Sequence, residues 1–224
     1  MEIPPRYRAV GFDMDGTLLD TDVDYAKMAN LVFDEMIAMG VPEGAVDRTG
    51  GAKFNIDAGV EWMRANGMGH MVYEIRGRVA KAARDVEMEN VAAAKPVPGA
   101  LGLLKSLRDA GYKVGVLTRG CREYAELALR NAGVDGCLDA LVARDDYPEE
   151  EAKPSPVAMR HLARFLGVEA TEVFFVGDHS FDYRCAADAG SGFVGVLTGS
   201  FDETDWERLG VEYVGSVAEI RPPR

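Results

Sequence analysis

Residues Tyr7 to Phe12, YRAVGF, form a short and partly β-branched apolar run that stops at the polar sequence DMDGT. A run of this kind, ended by turn-forming residues, predicts a buried strand with acidic residues at its C-terminal end. The rhythm then becomes helical. From Asp22 to Met39, the residues Val23, Ala26, Ala29, Phe33, Met36 and Ile37 recur at helical spacing, with Asp22 and Asp24 at the start and Gly40 and Pro42 beyond the end. More helical pattern follows at Ile56, Val60 and Met63 and again at Val72, Ile75, Val79, Ala82 and Val86. No strand pattern intervenes between Asp20 and Lys95.

At KPVPG, Lys95 to Gly99, two prolines and a glycine punctuate the chain, and helices and strands alternate from there on. A helix with Leu101, Leu104 and Leu107 ends at Gly111, the strand Lys113 to Leu117 follows, and a helix with Tyr124, Leu127 and Ala128 ends near Gly133. Shorter strands are expected at Ala140 to Ala143, Val173 to Val176 and Phe193 to Leu197, with helices Pro156 to Leu166 and Phe181 to Ala189 between them. Strands separated by helices of this length imply a parallel sheet covered on both faces. The predicted fold class is therefore α/β, a Rossmann-like parallel sheet core with helices on both faces. Residues 1–20 and 96–224 form that core, and residues 21–95 form a small α-helical domain inserted after the first strand.

Composition narrows the partners. The 224 residues are 47% hydrophobic and 28% charged, which suits a core domain carrying a smaller insertion. With 37 acidic against 25 basic residues, the net charge of −12 opposes attraction to nucleic acid or to an anionic membrane. The N-terminal MEIPPRYRAVGF has no apolar targeting core, and no apolar stretch approaches the roughly 18 residues a membrane-spanning helix needs, so cytoplasmic residence is expected. Cys121, Cys137 and Cys185 form no CxxC pair, and packing is their expected role. The acidic run Asp145 to Glu151 reads as a solvated loop. A monomer or homodimer is expected.

In an open parallel sheet, ligands bind beyond the C-terminal ends of the strands. The polar residues that fall there are Asp13 and Asp15 after the first strand, Thr118 after Lys113 to Leu117, and Asp178 and then Asp182 after Val173 to Val176. Lys153 opens the segment KPSP just before the helix preceding that last strand. Three carboxylates at one sheet edge repel one another unless a cation neutralises them, and hard oxygen ligands suit Mg²⁺. A lysine and a threonine hydroxyl add the charge and the donor that a phosphoryl group needs.

These residues resemble the haloacid dehalogenase superfamily of phosphohydrolases. Its four motifs stand here in order as DMDGT (Asp13 to Thr17), the threonine after VGVL (Thr118), KPSP (Lys153 to Pro156) and GDHSFD (Gly177 to Asp182). The resemblance implies that Asp13 is a nucleophile forming an aspartyl-phosphate and that Asp15 is the general acid and then the base. It implies that Asp178, the Asp13 side chain and the Asp15 carbonyl hold Mg²⁺, and that Thr118 and Lys153 bind phosphoryl oxygens. Asp182 would act behind the metal or orient Lys153. The insertion resembles the family's helical cap, which excludes water and selects the leaving group. Within it the stretch Arg48 to Lys53 reads as a loop between helices, and Arg48 or Lys53 is the candidate contact for a second anionic group, against the plainer reading of a solvated turn. Among capped relatives the sequence looks most like the phosphoglycolate phosphatase group, acting on a small phosphorylated metabolite.

Other features carry less. Arg119 stands where many relatives have a small polar residue; it either clamps a substrate anion or pairs with a nearby acid. His179 reads as a hydrogen-bonding bystander, His70 and His161 as surface residues on helices, and Cys121 as a residue at a helix N-terminus. Gly190, Gly192 and Gly195 spell GxGxxG but follow a helix and lead into a strand, the reverse of a dinucleotide fingerprint. The rival readings are a sugar-phosphate mutase of the same superfamily, a receiver domain and a catalytically dead phosphate-binding protein. A receiver places its phosphoacceptor on a middle strand, and an inactive protein would not be expected to keep the complete set of catalytic residues.

Overall fold

The computed structural model describes residues 1–223. The elements in chain order are β1 (Ala9–Phe12), β2 (Leu19–Asp20), α1 (Tyr25–Ala38), α2 (Ala52–Ala65), α3 (Val72–Glu89), β3 (Lys95–Pro96), α4 (Ala100–Asp109), β4 (Lys113–Leu117) and α5 (Arg122–Asn131). They continue as β5 (Ala140–Val142), α6 (Pro156–Leu166), β6 (Val173–Gly177), α7 (Ser180–Ala189), β7 (Gly192–Val196), α8 (Glu203–Leu209) and β8 (Tyr213–Val214). The chain divides into two compact units, one of Met1–Thr21 with the residues from Ala92 onward, the other Asp22–Val91. No helix among the described residues is long and apolar enough to cross a membrane.

The first unit is built on a six-stranded sheet in the order β5-β4-β1-β6-β7-β8, parallel throughout. Strand β1 is apolar because it lies at the centre, between β4 and β6, and is fully buried. From β1 the chain steps outward through β4 to β5, then crosses back through α6 to β6, so strand order reverses between β1 and β6. Right-handed crossovers put α4 and α5 on one face of the sheet and α6 and α7 on the other. Helix α6 lies close to the sheet because a side chain at Gly11 would come within 2.8 Å of Leu162, and one at Gly115 would meet the same leucine at 2.8 Å.

Local signals set the helix ends. Ser155 caps α6 ahead of Pro156, and Gly167 closes it in the left-handed region. Gly190 does the same for α7, which accounts for the first glycine of the GxGxxG string. The strands β2 and β3 pair antiparallel where the insertion leaves and returns, and Lys95 pairs with Asp20 at 3.1 Å. Neither strand, nor α8 and β8, announces itself in the hydrophobic pattern. Each two-residue strand is too short to show a period, and α8 is anchored by Trp206, whose ring packs against Gly195 and whose Nε1 donates to the Val196 carbonyl.

Four sequence expectations need correction, the last of them, on Lys53, in the helical unit. The run Asp145 to Glu151 is not a solvated loop: Asp146 forms a two-point pair with Arg122, Glu149 pairs with Arg119 at 2.7 Å and Glu151 meets His161 at 2.6 Å. His161 is accordingly a packed residue, its ring stacked 3.5 Å from that of Tyr147, because α6 turns it toward the acidic segment. His70 lies on a short 3₁₀ turn and not on an α-helix.

In the second unit α1, α2 and α3 enclose a core of Val32, Phe33, Met36, Val60, Met63, Ile75 and Val79. Gly59 lets α2 approach the Met36 sulfur, which a Cβ there would meet at 2.5 Å. The loop before α2 is ordered by Asn55, which is fully buried. Its Oδ1 accepts from the Asp47 N–H at 2.8 Å and its Nδ2 donates to the carbonyls of Asp47 and Gly50 at 2.9 and 3.4 Å. The loop ends at Gly51, so Lys53 belongs to α2 and not to the loop. Replacing Asn55 with Ala removes three hydrogen bonds that order this loop, and a loss of about 1–3 kcal/mol is expected in urea unfolding of the intact protein.

Candidate active site

Asp13 continues the β1 ladder by donating its N–H to the Val176 carbonyl at 2.8 Å, which places it just past the C-terminal end of β1. Beyond it the chain closes on Met14, whose carbonyl accepts from Leu18 and Leu19 at 3.0 and 2.9 Å. The turn needs a positive φ at Gly16 (75°), and any Cβ there would meet Gly199 Cα at 2.7 Å and Asp178 Oδ2 at 2.9 Å. Strand β6 ends at Gly177, where a side chain would collide with Asp182 Cγ at 2.6 Å. The absence of that side chain admits the buried carboxylate of α7.

Lys153, only 3% exposed, points its ammonium between two acids. It pairs with Asp13 Oδ1 and, at 2.6 Å, with Asp182 Oδ1. Asp182 is held from its other oxygen by the His179 N–H at 3.1 Å. Asp178 accepts from the Ser200 N–H at 2.6 Å and, more loosely, from the Thr17 hydroxyl at 3.5 Å. Carboxylate oxygens of Asp13, Asp178 and Asp182 lie within 4.8 Å of one another.

One buried ammonium faces three buried carboxylates, and the titration behaviour follows from that imbalance. Burial pushes Asp13 up to about 7 although Lys153 pulls it down, and the charges of Asp178 and Asp15 push it further up. Burial likewise raises Asp182 to about 6 and Asp178 above its ordinary range. Burial alone would lower Lys153, but Asp13 and Asp182 more than offset it and hold the ammonium above the usual lysine value. Excess buried negative charge with hard oxygen donors is the environment that a divalent cation relieves, so the cluster fits a metal site.

Thr118 ends β4, its N–H on the Val142 carbonyl and its hydroxyl oxygen accepting from the Gly120 N–H at 2.9 Å. Asp15 lies in the turn after β1, where one of its oxygens accepts hydrogen bonds from the hydroxyls of Tyr124 and Thr21. Arg119 takes the pairing option: it donates to Glu149 at 2.7 Å and to the Lys153 carbonyl at 2.5 Å, with its guanidinium 5.9 Å from the Phe181 ring centre. His179 caps α7, its Nδ1 accepting from the Phe181 N–H, and burial lowers its pKa. Cys121 is the buried residue at the N-terminus of α5, and burial pushes the Cys185 thiol up to about 12, which suits packing.

Arg48 and Lys53 lie in the helical unit. Arg48 pairs with Asp34 at 2.7 Å over the Phe33 ring, and Lys53 pairs with Asp57 at 2.5 Å. Tyr124, Thr21, Gly199 and Ser200 are the residues around the acids that the sequence did not single out, and Thr17 enters only as the last residue of DMDGT. Tyr124 fell into the apolar spacing of α5 and read as core, and the others are small residues of turns, where no periodicity operates.

The sequence profile of the haloacid dehalogenase-like hydrolases matches residues 10–196. The chain belongs to this family. Within it, the chain is 31% identical to the validoxylamine A 7'-phosphate phosphatase of Streptomyces hygroscopicus subsp. limoneus, with 86% of each chain covered. It is 28% identical to a phosphoglycolate phosphatase of Neisseria meningitidis over 95% of this chain and 92% of that one. The crystal structure of a hydrolase from Pseudomonas syringae shares the fold, with a TM-score of 0.64 at 20% identity and 94% of each chain covered.

The raised carboxylates of this hydrolase make its stability depend on pH. Relative to an ordinary value of 3.8, Asp13 and Asp182 hold their protons longer in the folded state. Their contribution is full below the unfolded value and is lost as pH rises through about 6 and about 7. In EDTA the Tm is therefore expected to fall between about pH 4 and about pH 7, less steeply for Asp13→Asn and less steeply with a divalent cation. Superimposable profiles for wild type and Asp13→Asn in EDTA would contradict this account.

Proposed function

We propose that the protein is a Mg²⁺-dependent phosphatase that hydrolyses a small phosphorylated metabolite through an aspartyl-phosphate on Asp13. The observation that carries this reading is the buried cluster of Asp13, Lys153, Asp178 and Asp182 at the reversal of strand order, with Asp15 two residues from the nucleophile. Asp13, Asp178 and the Asp15 carbonyl would hold Mg²⁺, which when bound supplies positive charge against the phosphoryl oxygens.

The steps belong to the side chains. An Asp13 oxygen attacks phosphorus as the bond to the leaving oxygen breaks, and the leaving oxygen takes the bonding pair and the proton of Asp15. The alcohol departs. Asp15, now a carboxylate, takes a proton from water as the water oxygen attacks phosphorus, and the Asp13–phosphorus bond breaks with its pair returning to the carboxylate. Splitting the displacement in two lets a carboxylate do what water alone does slowly. Lys153 draws Asp13 toward the ionised form needed for the attack and, with Thr118, binds phosphoryl oxygens. We assign residues 21–95 as the cap that selects the leaving group, with Arg48 or Lys53 as the contact for a second anionic group. Arg119 acts through its hold on the Lys153 backbone. Phosphoglycolate is the first substrate to test, because relatives carry that name.

Phosphate release from a panel of phosphorylated metabolites is expected to depend on Mg²⁺, to stop in EDTA and to be concentrated on one compound. Asp13→Asn is expected to lose at least about 10³-fold in kcat with the fold intact. Full activity in that variant would exclude the covalent route, and phosphoryl exchange between sugar positions with slow hydrolysis would identify a mutase. For an anionic substrate, Arg48→Ala is expected to raise KM about 10-fold while leaving a generic aryl phosphate nearly unchanged. Equal effects on the two would remove Arg48 from specificity.

A further inference from the structure

Tyr124 is the third residue of α5 and only 1% exposed. A buried tyrosine needs a partner for its hydroxyl, since a phenylalanine would fill the same space without that demand. The hydroxyl donates to Asp15 Oδ1 at 2.5 Å, and the Thr21 hydroxyl donates to the same oxygen at 2.7 Å. The ring is seated against Gly120, where a Cβ would press on it at 2.8 and 3.1 Å, and the Gly120 N–H in turn donates to Thr118. A single short stretch, 118–124, thus carries one residue proposed to bind phosphoryl oxygens and another that grips the proposed acid.

We propose that Tyr124 is a positioning residue for Asp15, and that with Thr21 it dictates which carboxyl oxygen carries the proton. This rests on the phosphatase reading above. A protonated carboxyl has one oxygen that donates and one that only accepts. Two hydroxyls donating to Oδ1 make Oδ1 the acceptor, so the acidic proton resides on Oδ2. They also stop the carboxyl from rotating, and proton transfer depends on that alignment. In the first half-reaction Oδ2 then gives its proton to the leaving oxygen as the phosphorus bond to that oxygen breaks, and Asp15 is left as the carboxylate.

The effect is separable from packing by leaving group. kcat/KM reports only the steps up to phosphoryl transfer onto Asp13, and a p-nitrophenolate leaves without needing a proton whereas an alkoxide does not. Tyr124→Phe keeps the ring against Gly120 and removes the hydroxyl alone. For the best alkyl phosphate of the panel its kcat/KM is expected to fall about 10- to 100-fold, and for p-nitrophenyl phosphate by less than about 3-fold. In an Asp15→Asn background the same substitution is expected to change neither value, because the group it positions is gone. A uniform loss on both substrates, or an undiminished loss in the Asp15→Asn background, would overturn the role of Tyr124 and leave the phosphatase reading standing. A wild-type enzyme that turns over neither substrate would overturn both. If Tyr124→Phe proves unfolded by circular dichroism, Thr21→Val removes the other donor to Oδ1 and is read by the same two ratios.

Discussion

The ammonium of Lys153 between the buried carboxylates of Asp13 and Asp182 is the interaction on which the site depends. Each acid is almost wholly removed from water, and an isolated carboxylate in that position would take up a proton. One lysine cannot neutralise three acids. The remainder of the negative charge is met by N–H donors from Ser200 and His179, and the cluster fits a cation. The nucleophile proposed at Asp13 needs this intermediate condition, since full pairing would quench it and no pairing would protonate it.

The sheet makes the arrangement possible by bringing distant segments to one edge. Strands β1 and β6 are neighbours although more than a hundred residues separate them, and the chain reverses its direction of progress between them. At such a reversal the loops diverge and leave a crevice. Small residues then set how tightly it closes. Gly16, Gly177 and Gly199 each occupy a place where a Cβ would intrude on Asp178 or Asp182. They let backbone approach carboxylate closely enough for N–H groups to serve as the counter-charges.

Behind the acids a second set of contacts fixes the backbone that carries Lys153. Arg119 reaches from the end of β4 to Glu149 and to the Lys153 carbonyl, while Glu151 meets His161 on α6. The acidic run before Lys153 is therefore a fastening strip whose charges are largely spoken for. Composition alone made it look like solvated surface, because it records the density of charge and not the arginines and histidine that other elements place opposite it.

By itself, the sequence determined the alternation of strand and helix, the helical character of the insertion and the residue types at the strand ends. All of these rest on local periodicity or on neighbouring residues, such as the apolar run that halts at DMDGT. It did not determine the two-residue strands at the insertion, the anchoring of α8 by Trp206, or the neighbours of the acids. Tyr124 is the clearest case. Its spacing marks it as a core position of α5, and so it is, but its hydroxyl meets Asp15 from 109 residues away. Helical periodicity specifies which face of a helix is buried. Only the packing of that face against a particular loop decides whether a buried ring ends on another apolar group or on the oxygen of an acid.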